Sequence, residues 1–126
     1  MVKNAHREDR DHIGTHVICE MWDCDFDDDA ERLVVYLINA AHASNARILD
    51  TVSHQFTPAG STALLLLAES HMSAHTWPEY GYIAIDIFTC GSSMKPDEAI
   101  AYLEQALKPK RVETTKLVRG RDGKPR

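Results

Sequence analysis

The chain has 126 residues, a formal net charge of −5 and a hydrophobic content of 44%. This length fits one domain with a modest core. The negative charge disfavours proteins that bind nucleic acid or membrane surfaces through general electrostatic attraction. The composition therefore predicts one soluble, acidic domain over residues 1–126, with neither nucleic acid nor membrane as a partner.

The compartment is predicted from the cysteines and from the N-terminal segment. The three cysteines, Cys19, Cys24 and Cys90, lack the spacing of a disulfide framework or a zinc ribbon. Residues 1–11 are charged and contain no apolar segment of an export signal, and no apolar run approaches the roughly 18 residues of a membrane span. These features predict a cytoplasmic protein.

The first predicted elements are a strand and a helix. Alternate apolar residues predict a strand at residues 15–21. The acidic run after it lacks the glycine and the terminal glutamate of a calcium loop, so it predicts a helix start with Asp28 as the N-cap. We expect the helix to end near Asn45 and to cover a sheet. Its apolar stripe is formed by Ala30, Leu33, Val34, Leu37, Ile38 and Ala41.

The next two predicted strands are residues 47–56 and 63–68, joined by a turn at residues 57–60. The second strand is apolar on both faces, which is typical of a central strand covered on each side. A helix is expected to cover one face, and a partner subunit is a candidate for the other. Glu69 and Ser70 end the apolar run and are predicted to begin a polar turn.

The remaining elements complete the fold prediction. A strand at residues 82–88 is followed by a helix that begins at Pro96 and by a strand at residues 111–118. The order β-α-β-β-β-α-β predicts an α+β fold. Its expected architecture is a two-layer sandwich, an antiparallel or mixed sheet with two helices on one face.

Reactive side chains are concentrated between Glu69 and Cys90. A serine hydroxyl can attack the carbonyl that precedes it, and a nearby histidine can move the protons that this requires. Serinolysis at the Glu69–Ser70 bond, followed by elimination, would convert Ser70 into a pyruvoyl group, which can replace pyridoxal phosphate as an electron sink. The spacing of serine and histidine is common by chance, so an ordinary polar turn residue is the alternative for Ser70.

Several longer motifs resemble the signatures of small prokaryotic S-adenosylmethionine decarboxylase proenzymes. The resemblance covers roughly residues 12–120. Two positions depart from the usual pattern, because Ala74 replaces a larger aliphatic residue and Thr62 replaces a serine. The motifs are residues 68–81 (AESHMSAHTWPEYG), 86–91 (DIFTCG), 13–16 (IGTH) with 24–25 (CD), 54–60 (HQFTPAG) and 108–110 (KPK).

The resemblance implies a carboxy-lyase that converts S-adenosylmethionine into the aminopropyl donor for spermidine. Autocatalytic cleavage between Glu69 and Ser70 would give a β chain of residues 1–69 and an α chain of residues 70–126. The pyruvoyl group derived from Ser70 is the implied cofactor, and no metal is expected. Two copies are expected to pair through their sheets as an αββα homodimer, with the active sites near the interface.

The resemblance also assigns three catalytic roles. Ser70, as the pyruvoyl group, forms a Schiff base with the substrate amine. His75 accepts a proton during processing, and Cys90 donates the proton that replaces the lost carboxylate. A structural histidine and a small buried hydrophobic residue are the alternatives for His75 and Cys90.

Three further residues are implied in substrate binding. Phe56 stacks on adenine, Glu79 binds the ribose hydroxyls, and Thr62 lies near the substrate. A core aromatic residue and a turn carboxylate are the alternatives for Phe56 and Glu79. The other histidines show no zinc-site spacing and are expected at the surface or behind the site residues; they include His12, His16, His42, His54 and His71.

Two other functions remain open at this point. The chain could be a pyruvoyl-dependent decarboxylase of a basic amino acid, arginine or ornithine, on the same fold. It could also be a non-catalytic paralogue that regulates an active partner subunit. Intact Ser70, His75 and Cys90 disfavour the paralogue, whereas Phe56 and Glu79 disfavour a basic amino acid as the substrate.

Overall fold

The computed structural model describes residues 12–91 and 93–121. Residues 1–11, on which the predicted lack of an export signal depends, lie outside these ranges. Within them, no helix combines the length and the hydropathy needed to cross a membrane. The elements are β1 (Gly14–Trp22), α1 (Ala30–Ala43), β2 (Ile48–Gln55), β3 (Ser61–Leu67), β4 (Ser70–Trp77), β5 (Tyr82–Cys90), α2 (Pro96–Leu107) and β6 (Arg111–Arg119).

The strands form one six-stranded sheet in the order β2-β3-β4-β5-β1-β6. Every neighbouring pair is antiparallel. The two helices contact each other and pack on one face of the sheet. The predicted α+β sandwich is therefore confirmed, and its sheet is antiparallel rather than mixed.

The core lies between the sheet and the helices. Val17, Met21 and Leu65 from the sheet and Leu37 from α1 are completely buried there. The opposite face of the sheet, called the open face below, carries exposed apolar side chains on its β2–β3 side. Leu64 and Leu66 of β3 are 38% and 50% exposed. The apolar pattern on both faces of β3 thus corresponds to one buried face and one uncovered face.

The sequence prediction was wrong about β4. Residues 70–77 form a strand between β3 and β5, and the turn before it consists of Ala68 and Glu69. Met72, Ala74 and Thr76 point into the core, whereas the open face receives polar and aromatic side chains. Small and polar core residues produce no apolar run, so the pattern was mistaken for a polar turn.

The N-cap of α1 lies one residue after the predicted one. The Asp29 carboxylate accepts the backbone N–H groups of Glu31 and Arg32 at 2.9 and 3.4 Å, so Asp29 is the N-cap of α1. Asp28 instead accepts the Gly60 N–H at 3.1 Å and the Gln55 side-chain amide at 3.0 Å. These bonds attach the β2–β3 turn to the start of α1.

Candidate active site

The carbonyl of Glu69 is held by two donors from Cys90. The Cys90 backbone N–H lies 3.0 Å and its thiol sulfur 3.3 Å from the Glu69 carbonyl oxygen. The strand register explains this arrangement, because Ser70 at the start of β4 pairs with Thr89 of β5. Two donors aimed at one carbonyl oxygen can stabilise negative charge that develops there during attack on the carbonyl carbon.

The backbone of Ser70 is strained. Its φ angle is 146°, in a region that residues with a side chain rarely adopt. Such a conformation costs on the order of 1–3 kcal/mol and persists where the surrounding structure imposes it. The strain therefore coincides with the peptide bond whose carbonyl is bound by Cys90.

The Glu69 side chain helps to fix this turn. Glu69 is only 8% exposed, and its Oε1 accepts the Arg47 N–H at 3.1 Å. The Arg47 carbonyl in turn accepts the Ala68 N–H at 2.8 Å. The segment before β2 thus holds the residues on the N-terminal side of the Glu69–Ser70 bond.

Ser70 borders the larger of two cavities that matter for the site. This cavity has a volume of about 810 Å³ and an apolar lining that includes Leu49, Leu64 and Leu66, with Ser70 and His71 at its polar end. Since Leu64 and Leu66 point to the open face, the cavity is accessible from that side of the sheet. A molecule that reaches Ser70 therefore approaches across the open face.

The other predicted site residues line a second cleft of about 390 Å³. Phe56, Thr62, His75 and Glu79 all border it. Thr62 Oγ1 and His75 Nδ1 form a hydrogen bond of 2.9 Å, which orients the imidazole. The structure therefore gathers the three residues predicted to bind substrate around His75, and offers an aromatic ring, a carboxylate and an imidazole to one ligand.

Ser70 and His75 are not brought together within one chain. They lie five positions apart on β4, and a strand rises about 3.3 Å per residue, which separates them by roughly 16 Å. Glu69, Ser70 and Cys90 thus form a group at one end of β4, and the His75 cleft lies at the other end. The resemblance assigns a proton transfer from Ser70 to His75. Within one chain the two residues are too far apart for this transfer.

A polar cluster on the open face was not predicted from the sequence. It consists of His16, His71, Ser73 and Asp86 and is called the His–Asp cluster below. Asp86 Oδ2 lies 2.7 Å from His16 Nε2 and 3.1 Å from His71 Nε2. The Ser73 hydroxyl donates to the other carboxylate oxygen, Oδ1. The four residues come from three strands, β1, β4 and β5, so sequence spacing gives no signal for the cluster.

The hydrogen bonds of the cluster determine the ionisation of Asp86. Burial alone would raise the pKa of this carboxyl, but the bonds that it accepts from the serine and the two histidines outweigh burial and lower the pKa below its usual value. Asp86 is therefore an anion at neutral pH.

Comparisons with known proteins agree with the resemblance found in the sequence. A family model described as S-adenosylmethionine decarboxylase matches residues 15–120. The chain is 47% identical over 110 residues to the S-adenosylmethionine decarboxylase proenzyme of Brevibacillus brevis, covering 86% of this chain and 83% of that protein. It is 42% identical over 110 residues to the proenzyme of Methanococcus maripaludis, covering 86% and 90% of the two chains.

A solved structure gives the same result for the fold. The crystal structure of the adenosylmethionine decarboxylase from Aquifex aeolicus matches with a TM-score of 0.80 and 34% sequence identity, and the match covers 88% of this chain and 93% of that one. The sequence resemblance is confirmed: the chain belongs to the S-adenosylmethionine decarboxylase family.

Proposed function

We propose that the chain cuts itself between Glu69 and Ser70 and then decarboxylates S-adenosylmethionine, yielding the aminopropyl donor for spermidine. The observation that carries this proposal is the Glu69 carbonyl, which accepts both donors of Cys90 next to the strained backbone of Ser70. The proenzyme names of the relatives from Brevibacillus brevis and Methanococcus maripaludis support it.

The cleavage begins with attack of the Ser70 hydroxyl oxygen on the Glu69 carbonyl carbon. The Cys90 N–H and S–H stabilise the negative charge that develops on the carbonyl oxygen. The C–N bond then breaks, the hydroxyl proton goes to the released amine, and an ester joins Glu69 to the Ser70 oxygen. Rupture of the peptide bond also releases the backbone strain at Ser70.

The second stage removes a proton from the Ser70 Cα and expels the Glu69 carboxylate from Cβ. Water then hydrolyses the resulting enamine through its imine form, releases ammonia and leaves the pyruvoyl group. A base is needed for the first of these steps, and a histidine has a pKa suited to it. His75 is our candidate, although it lies at the far end of β4 from the Ser70 of its own chain.

A homodimer removes this separation. The exposed Leu64 and Leu66 leave an apolar area on the open face, which a second copy would cover to give the αββα arrangement. A two-fold axis that lies between the two sheets, perpendicular to β4 and opposite its middle, reverses the strand direction between the copies. The Ser70 end of one chain would then face His75 of the partner subunit.

Co-expression of two inactive variants tests this arrangement. A chain with Ser70→Ala and a differently tagged chain with His75→Ala would each fail to mature alone. In the mixed dimer, the His75→Ala chain keeps its Ser70 and meets His75 of the partner subunit, so we expect this chain to be cut. Tag-specific intact-mass analysis measures the cleavage.

The same experiment discriminates between the two geometries. If His75 acts on its own chain, the His75→Ala chain stays unmatured in the mixture. Hydroxylamine treatment of the variant expressed alone provides a further reading, because a stalled ester is cut by hydroxylamine whereas an intact peptide bond is not. Normal maturation of His75→Ala expressed alone would remove His75 from its proposed role.

The residues around Ser70 fit a pyruvoyl group at the start of the α chain. The Cys90 thiol faces the bond at which that terminus is created, and the large cavity of the open face leads to it. The pyruvoyl group supplies an electrophilic carbonyl that withdraws electrons from the substrate as carbon dioxide leaves. Cys90 then donates a proton to the substrate carbon that carried the carboxylate.

The His75 cleft supplies the groups that select the substrate. Phe56 is 47% exposed, so its ring can stack on adenine or face the cationic sulfonium. The Glu79 carboxylate accepts hydrogen bonds from ribose hydroxyls, and Thr62 borders the same space. Arginine and ornithine have neither a nucleoside for Phe56 nor ribose hydroxyls for Glu79.

A substrate panel tests the proposed reaction. We expect release of labelled carbon dioxide from carboxyl-labelled S-adenosylmethionine and none above background from arginine or ornithine. Intact-mass analysis of the same sample reports how much of the chain is cut. Release from a basic amino acid alone would replace the proposed substrate, whereas a chain that is uncut and inactive would indicate the regulatory paralogue.

The mature protein would consist of the β chain, residues 1–69, and the α chain, residues 70–126. The β3–β4 ladder spans the cut, so the fragments stay associated in one sheet. All three cysteines are free in the part of the chain that the structure describes, which suits a reducing compartment. We therefore propose the cytoplasm as the compartment, and S-adenosylmethionine and a second copy of the chain as partners.

A further inference from the structure

We propose that the His–Asp cluster binds one divalent transition-metal ion of the Zn²⁺ type, with His16 Nε2, His71 Nε2 and Asp86 Oδ2 as ligands. These three atoms lie within 4.8 Å of one another. Two imidazoles and one carboxylate form a donor set that suits Zn²⁺ and its neighbours in the first transition row. No metal was expected from the sequence, because the histidines, His16 and His71 among them, show no zinc-site spacing.

The two distances from Asp86 Oδ2 to the imidazole nitrogens are close to those between the ligands of one metal ion. Metal–ligand bonds of about 2.0–2.2 Å separate adjacent ligand atoms by roughly 2.8–3.6 Å in octahedral and tetrahedral geometries. The two distances from Asp86 Oδ2 to the imidazoles are 2.7 and 3.1 Å. An ion therefore replaces the two hydrogen bonds at Oδ2 after small rotations of the imidazole rings.

The surroundings of the cluster support a fixed ligand set. The Ser73 hydroxyl binds Asp86 Oδ1, which orients the carboxylate and leaves Oδ2 for the ion. The rings of His16 and His71 lie 5.4 and 6.1 Å from the ring of Phe88. Gly14 leaves room for this ring, because a Cβ there would meet Phe88 Cε1 at 2.7 Å. Phe88 thus restricts the orientation of both imidazoles.

In the single chain the cluster is accessible to an ion from the open face, which is the face that the proposed second copy would cover. The side chains of His16, Asp86 and His71 are 19%, 27% and 34% exposed. They border a cleft of about 430 Å³ that also contains Glu20 and Tyr82. Partial burial strengthens the attraction between the ion and the Asp86 anion, and the cleft leaves open positions for water or a further ligand.

The proposed ion lies beside the self-cleavage site proposed above without taking part in the cleavage: His71 follows Ser70 in β4, and His75 borders the same cleft as the ligands. None of its ligands contacts the Glu69 carbonyl or Cys90 through a hydrogen bond that the structure shows, and its role is structural. His16 belongs to β1, whereas His71 and Asp86 belong to β4 and β5. The ion therefore clamps three adjacent strands of the sheet.

Calorimetric titration with ZnCl₂ tests the site. The whole protein is purified, treated with EDTA and dialysed, and we expect one tight site per protomer, cut or uncut, and a rise in Tm. The matched control is His42→Gln, an exposed histidine of α1, which should titrate like the unmodified protein. His16→Gln and Asp86→Asn should lose the tight site.

Two further measurements test Zn²⁺ binding if a ligand variant folds poorly. Ser73→Ala keeps all three ligands and should weaken Zn²⁺ binding about 10-fold to 100-fold, because the carboxylate loses its orienting bond. Co²⁺ should give the visible absorption of a coordinated ion, and this absorption should vanish on addition of Zn²⁺. Unchanged binding in His16→Gln, or equal loss in His42→Gln, would overturn the proposal, and neither result depends on cleavage or decarboxylation.

Discussion

A chain with Ser70→Ala is expected to remain at its full length, with no β or α chain visible after denaturation. Alanine has no hydroxyl to attack the Glu69 carbonyl, so the two Cys90 donors have no developing charge to stabilise. The loss of cleavage should be complete because no later step can begin without the ester. Intact-mass spectrometry of freshly purified and of incubated protein measures it.

The matched control is Ser53→Ala, which removes an exposed hydroxyl from β2. This variant should be cut like the unmodified chain. Cleavage of Ser70→Ala at the same bond would show that water or another side chain attacks the carbonyl. Loss of cleavage in both variants would point to a general effect on the sheet rather than to Ser70.

The variant Cys90→Ala should still mature in part but decarboxylate poorly. Its backbone N–H keeps one of the two bonds to the Glu69 carbonyl, so cleavage slows without stopping. Loss of a general acid costs about 10²-fold to 10⁴-fold in rate. Carbon dioxide release is therefore measured per mole of α chain, which separates slow turnover from incomplete maturation.

The mass of the α chain gives a second measurement of the Cys90 role. Without the thiol, the proton can reach the wrong carbon, and the N-terminal pyruvoyl group is then converted to alanine during incubation with S-adenosylmethionine. The control is Cys24→Ala, because burial, aided by the nearby Asp23 charge, raises the pKa of Cys24 to about 12 and keeps this thiol protonated. Normal turnover of Cys90→Ala with an unchanged α-chain terminus would assign the proton to another group.

The helices were predictable because their signals are local. The apolar stripe of α1 and the Pro96 start of α2 lie within single elements, and both helices form where the pattern places them. The choice between Asp28 and Asp29 as the cap was not predictable, because Asp28 is engaged by Gly60, far along the chain. Adjacent carboxylates are equivalent in sequence until the fold gives one of them another partner.

Most of what the sequence could not predict depends on strand order. The insertion of β1 between β5 and β6 brings His16 beside Asp86, and the β4–β5 pairing adds His71. Ser70, His75 and Cys90 were found through long motifs rather than through geometry. A motif identifies residues but does not give their positions in the fold. The distance between Ser70 and His75 is therefore seen only in the structure.

The order of the strands also limits when the proposed cut between Glu69 and Ser70 can occur. Of the six strands, β1, β2 and β3 precede the Glu69–Ser70 bond, and the other three follow it. Both neighbours of β1 come from the later half, whereas β2 and β3 remain together. Neither half alone can assemble this sheet, so folding must precede the proposed cut. The intact chain folds in a unimolecular reaction; once cut and denatured, the two halves would have to find each other by diffusion. If the proposed cut occurs, the bond between residues 69 and 70 is thus a tether that the chain needs for folding and no longer needs afterwards.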